Sequence, residues 1–315
     1  MNTRGRVTVR ASNALILIQM VLQIGGGFVI GFIMAILFLL TEQKEMVFGT
    51  NEIYALILFT QIFAILLPAL IYLKYKKVDI KEVLRIRRLS FFHIIVITVM
   101  AIAGQLVAIL LNMPVMMLLD WIGEIPPSPF PTPDTISGLM VSIVIIAVFP
   151  AICEEVLVRG VVLRGYERRG TGAAIVISAI FFGIMHGDIK NLIGPIFFGI
   201  VFAYIVIRTG SLFAGILAHF INNAVALLID YGVTNYEQQF GFINQPVYFL
   251  LIAVAAVFLF VSALMLIKNT TQWEPKDSIS SKGAHTKVAF LNIPIILTIL
   301  IFLVLQIFVI KEILH

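Results

Sequence analysis

Nine almost purely apolar stretches follow one another along the 315-residue chain, at 14–40, 52–73, 91–119, 138–165, 172–187, 191–207, 211–230, 246–267 and 288–310. A helix needs roughly 20 apolar residues to cross a hydrocarbon core of about 30 Å. With no water at that depth, only helices and closed barrels satisfy their own backbone polar groups. Hydrophobic residues make up 60% of the chain and charged residues 12%, a balance far from that of soluble domains. Mean hydropathy is +1.06. The expected fold is therefore an all-α, polytopic transmembrane helical bundle of eight to nine helices, with residues 1–315 as a single integral membrane domain. Stretches five and six are short and separated only by residues 187–190, so they can form a hairpin that stops short of the far side, which brings the count to eight.

Charge fixes the expected topology. Lys74, Lys76, Lys77, Lys81, Arg85, Arg87 and Arg88 crowd the second connection, whereas the third, 112–134, has no Lys or Arg. Basic connections stay cytoplasmic. Arg164, Arg168 and Arg169, then Arg208, then Lys268, Lys276, Lys282 and Lys287 continue the inner series, and Asp230 and Glu237 fall outside. The N-terminus is then cytoplasmic in a multi-pass cell-membrane protein, and with nine spans the C-terminus is outside. Arg4, Arg6 and Arg10 precede the first stretch as in a secretory leader, but the apolar run is too long and no small-residue cleavage site follows, so a retained helix is expected. The net charge of +5 lies between spans, which makes the lipid bilayer, and no nucleic acid, the partner it implies. A single cysteine, Cys153, offers neither an internal disulfide nor a thiolate metal site.

Proline marks irregular backbone. Pro126, Pro127, Pro129, Pro131 and Pro133 make the outer loop a stiff polyproline spacer, and Pro68, Pro195 and Pro294 are expected to kink their spans.

Polar residues inside apolar spans are costly and mark function. Here they are Glu154, Glu155 and Arg159, then His186, then His219 and Asn223. At 1.5 Å per residue, Glu154 lies roughly 15 to 22 Å from the basic edge of its helix, His186 roughly 22 Å and His219 roughly 16 Å from theirs. Three helices therefore bring these side chains to overlapping depths. Residues four apart share a face, which stacks Phe182 under His186, His219 before Asn223, and Glu155 beside Arg159 as an ion pair. Glu154 is turned about 100° from Glu155, so one carboxylate can be neutralised while the other faces a wet cavity.

EEVLVR at 154–159, FGIMH at 182–186 and HFINN at 219–223 fit the patterns EExxxR, FxxxH and HxxxN. In this order on successive spans they resemble the CPBP family of CAAX prenyl endopeptidases and bacteriocin-processing proteins, also called the Abi family, over a four-helix core at 138–230. The resemblance implies an intramembrane endopeptidase in which Glu154 and His186 activate a water while His219 and Asn223 stabilise the oxyanion, with Glu155, Arg159 and Phe182 in support. Such chemistry needs a base poised near neutral pH and donors already aimed at the developing charge. The implied partner is a membrane protein or peptide substrate. The Ile-rich composition points to a low-GC prokaryote, and so toward membrane peptides, bacteriocin precursors or anti-sigma-type membrane proteins rather than prenylated proteins.

A metal-free site is favoured, with zinc as the alternative. Glu154, His186 and His219 would be the ligands were zinc present, but no HExxH spacing occurs and the Asn223 amide suits hydrogen bonding better than zinc. His93, His285 and His315 lie at boundaries, in loops or at the terminus and receive no chemistry. Gly215 and Ala218 are expected simply to let helices approach. Two other classes fit intramembrane Glu and His: a proton-coupled transporter, which usually shows paired repeats, and a non-catalytic adaptor or immunity protein that works by binding.

Overall fold

The computed structural model describes residues 6–40, 49–128, 130–240, 245–270 and 292–314, and the secondary structure among them is entirely helical. In chain order the long helices are α1 (Val9–Leu40), α2 (Thr50–Lys76), α3 (Phe91–Ile122), α4 (Ile136–Glu167), α5 (Thr171–Ile184), α6 (Ile193–Thr209), α7 (Leu212–Phe240), α8 (Gln245–Asn269) and α9 (Ile293–Leu314). Among the described residues, eight helical segments are long and apolar enough to cross a membrane. The exception is α5, whose 14 residues span about 21 Å. It ends early because Gly187, at φ +69°, reverses the chain into a 3-10 turn at Ile189–Asn191. His186 therefore sits in the turn beyond the helix rather than inside a span reaching 187. The α5–α6 hairpin is tightly closed: a Cβ at Gly199 would lie 2.6 Å from Ala179 Cα, so no larger residue fits there.

Basic connections gather at one end of the bundle. Arg85 pairs with Glu167, which Arg164 also reaches at 2.9 Å. Leu212 N donates to Arg85 O at 3.1 Å, Ser211 Oγ to Arg87 O at 2.6 Å, and Arg208 to Thr270 O at 2.6 Å. Arg85 is thus buried rather than part of an open basic loop; burial pulls its guanidinium pKa down while Glu167 pulls it up. At the opposite end, Thr132 donates to Asp230 at 2.8 Å and Asn235 to Pro133 O at 3.2 Å. Lys276, Lys282, Lys287, His285, His315 and Pro129 lie outside the described residues.

Helices α2 and α4 are not uniform. Wider π-helical turns occupy Thr60–Leu66 in α2 and Ile143–Val148 and Val156–Val162 in α4. Pro68 and Pro150 each follow such a turn by two residues. A ring that lacks an N–H and crowds the i−4 carbonyl is easier to place where the α-ladder is already interrupted. Pro195 and Pro294 instead fall in the first turns of α6 and α9, where a missing N–H costs nothing, so neither is the mid-span kink expected from sequence. Helix α1 is fastened to α4 by Tyr166 Oη donating to Asn13 Oδ1 at 2.5 Å and by Ser12 Oγ donating to Val161 O at 3.4 Å.

Candidate active site

Glu154 and Glu155 close the seven-residue α-helical stretch between the two π turns of α4, and both are buried. The arginine one turn on belongs to the second π turn. Its Nη1 meets Glu155 Oε1 at 2.8 Å with both side chains fully buried, and its Nη2 donates to Gly199 O at 3.2 Å. The guanidinium also lies 4.4 Å from the Phe182 ring and 5.4 Å from that of Phe202. This buried cation is compensated by a carboxylate, a carbonyl and two π-faces, while its Nε has no hydrogen-bond partner among the described residues.

The same carboxylate organises His219. Glu155 Oε1 accepts from His219 Nδ1 at 3.2 Å, and the ring stacks on Phe202 at 5.2 Å and 26° with Phe182 edge-on at 5.5 Å. An ionised carboxylate only accepts hydrogen bonds, so this contact keeps a proton on Nδ1 and turns Nε2 toward Glu154 Oε2, 3.9 Å away. Gly215, one turn earlier on α7, is where Glu155 fits: a Cβ there would lie 2.5 Å from Glu155 Oε2 and 2.7 Å from Val206 Cγ2. Its smallness serves the carboxylate as well as the approach of the helices.

Glu154 has a partner that motif spacing does not reveal. Gln61, buried in the π turn of α2, donates from Nε2 to Glu154 Oε1 at 2.8 Å. Only a lone amide in an otherwise apolar span marks it in the sequence. Glu154 Oε2 has no hydrogen-bond partner among the described residues.

His186 reaches this group through an aromatic neighbour. Its Nδ1 donates to Phe182 O at 2.7 Å, which leaves Nε2 as the acceptor nitrogen, and its ring lies edge-on to Phe182 at 5.2 Å. Phe182 thus touches both imidazoles and Arg159. His186 and Glu154 form no ion pair among the described residues, so the imidazole beside Glu154 is His219. Asn223, one turn beyond His219, donates to Ile146 O at 3.0 Å and accepts from Asn222 at 3.1 Å. One of its amide hydrogens stays available.

Glu154, Glu155, Arg159, Phe182 and His219 form one contiguous group, with His186 joined through Phe182 and Asn223 held at its edge. Among the described residues no three His, Cys, Asp or Glu side chains converge as a metal ligand set. His186 stands on the Phe182 side of the cluster, its Nδ1 bonded to Phe182 O and its Nε2 left open. Glu154, His186 and His219 are accordingly not gathered into one such set as placed.

Residues 136–225 match a family model described as Type II CAAX prenyl endopeptidase Rce1-like. No curated protein and no solved structure matches the chain. The match spans less than a third of the chain but all of the residues from Glu154 to Asn223. It supports an intramembrane endopeptidase in general terms.

Proposed function

We propose that this membrane protein, with its CAAX-protease core, is an intramembrane endopeptidase that hydrolyses a peptide bond of a membrane-associated protein or peptide, using a water activated by Glu154. The observation that carries the reading is the opposition of Glu154 Oε2 and His219 Nε2 at 3.9 Å, each group fixed from behind by Gln61 or Glu155. A water oxygen spans that separation with ordinary hydrogen bonds to both atoms.

Glu154 Oε2 takes a proton as the water oxygen bonds to the scissile carbonyl carbon, and the carbonyl electron pair moves onto its oxygen. His186, with Nε2 as its acceptor, steadies the water's second proton. The oxyanion faces the remaining N–H of Asn223 and the His219 imidazole, whose Nδ1–H stays on Glu155 and whose Nε2 can donate to it only when it carries a proton. One such donor is worth about 10²–10³ in kcat. Collapse returns the electron pair, breaks the C–N bond and passes the proton from Glu154 to the leaving amine, giving one new carboxyl and one new amino terminus. Basic connections gathered at one end support a cytoplasmic position for that end, and the substrate enters from the bilayer.

The test is hydrolysis of internally quenched peptides, with and without an S-prenylated cysteine, by purified protein in liposomes. Turnover is expected from wild type and none from Glu154→Gln or His186→Ala, with helicity and thermal midpoint retained in both. Undiminished turnover in Glu154→Gln, or none by wild type on any peptide of the panel, rejects the reading.

A further inference from the structure

The turn that carries His186 is held by two helices outside the matched core. Gln306, buried on α9, donates from Nε2 to Gly187 O at 3.1 Å and to Phe302 O at 3.0 Å, and its Oε1 accepts from Ile189 N at 2.7 Å. On the adjoining side, Asn112 of α3 donates to Lys190 O at 2.7 Å. Both amide hydrogens of Gln306 and its oxygen are therefore engaged, two of the three bonds going to the backbone that immediately follows His186. The turn needs such partners: Gly187 leaves the helix with left-handed φ, so its carbonyl and the N–H of Ile189 fall outside any helical ladder. At membrane depth unpaired backbone groups are costly. Leu305, beside Gln306, would lie 3.4 Å from a Cβ at Gly187, so α9 also closes on the turn sterically.

We infer that Gln306 is a positioning residue for the peptidase reaction: it clamps the 187–189 backbone and so sets where the His186 ring stands relative to Glu154 and His219. The inference rests on the peptidase reading of the site. Helix α9 then serves the reaction from well beyond the motif-bearing helices, and Asn112 shares the load. Gln306 touches neither Glu154 nor His219, so its effect is on the placement of an existing group.

The experiment compares wild type with Gln306→Met, which keeps the side-chain length and suits the apolar surroundings while removing all three bonds, in full-length protein in liposomes. Amide hydrogen exchange over 186–190 is expected to speed up by about tenfold or more, as loss of one buried hydrogen bond allows. With a quenched peptide that wild type cleaves, kcat per folded molecule should fall about 10- to 100-fold, the cost of a misplaced catalytic group. KM should stay within about twofold, because substrate binding is not what the clamp provides. The pH profile of kcat should shift as well, which a merely structural residue would not cause. Unchanged exchange, or unchanged kcat per folded molecule while His186→Ala is inactive, overturns the clamp. An active His186→Ala overturns the peptidase assignment of His186 and the clamp's catalytic role with it, whatever the exchange shows.

Discussion

Replacing Arg159 with methionine should be among the most damaging single changes in the chain, and its cost should depend on Glu155. Arg159 and Glu155 are fully buried 2.8 Å apart, with no solvent to take up the charge left behind. Removing one partner of such a pair costs about 3–5 kcal/mol, most of it the penalty of the orphaned charge. At 1.4 kcal/mol per tenfold, that shifts the folding equilibrium by about 150-fold or more. Glu155→Gln removes the countercharge yet leaves an acceptor for His219 Nδ1. In the double variant neither charge is buried, so its cost should fall short of the sum of the two single costs by about 2 kcal/mol or more. The four proteins of this cycle would be unfolded in mixed detergent and followed by circular dichroism. Additivity within about 0.5 kcal/mol would refute the reasoning, since it would mean that the carboxylate does not depend on Arg159 for its charge compensation. Arg159→Lys should fall between, because an ammonium restores charge but cannot also bond Gly199 O and stack on Phe182 in the same pose.

Gly215→Ala should displace Glu155, cost about 1–3 kcal/mol by overpacking and lower turnover, while Gly27→Ala, where a Cβ meets nothing within 4 Å, should be neutral or slightly stabilising in the same thermal melts. A cysteine at exposed Lys81 should be shielded from an impermeant maleimide in intact cells while one at exposed Ser128 reacts; the reverse pattern would invert the topology. Purified protein should carry less than stoichiometric zinc by mass spectrometry and keep its turnover after chelation; zinc that is stoichiometric, is lost in both His186→Ala and His219→Ala, and restores activity to apo-protein would make those histidines ligands.

The fold class was legible because apolar runs of spanning length admit few alternatives, and the shortness of stretch five already pointed to the hairpin. The polar residues at 154–159, 182–186 and 219–223 were legible as one group because each is costly where it stands. Neighbours across helices were not. Motif spacing pairs Glu155 with Arg159, and nothing in it says that the same carboxylate also holds His219 or presses on Gly215. Gln61 and Gln306 are lone amides in apolar spans, and their partners lie 93 and 117 to 119 residues away in the chain, so only packing identifies them. Arg85 shows the opposite failure: charge counting places it in an open basic loop, yet Glu167 lets it be buried.

The π turns on either side of Phe149–Glu155 make α4 a helix whose register is adjustable one residue at a time. Deleting a single residue from Val156–Val158 would let that turn relax to ordinary α geometry without breaking the span. It would also bring the arginine to i+3 from Glu155 and swing its guanidinium off the Phe182 face. Single-residue insertions and deletions here would therefore act as rotations of one half of a helix against the other, leaving the membrane segment intact while dissolving the site.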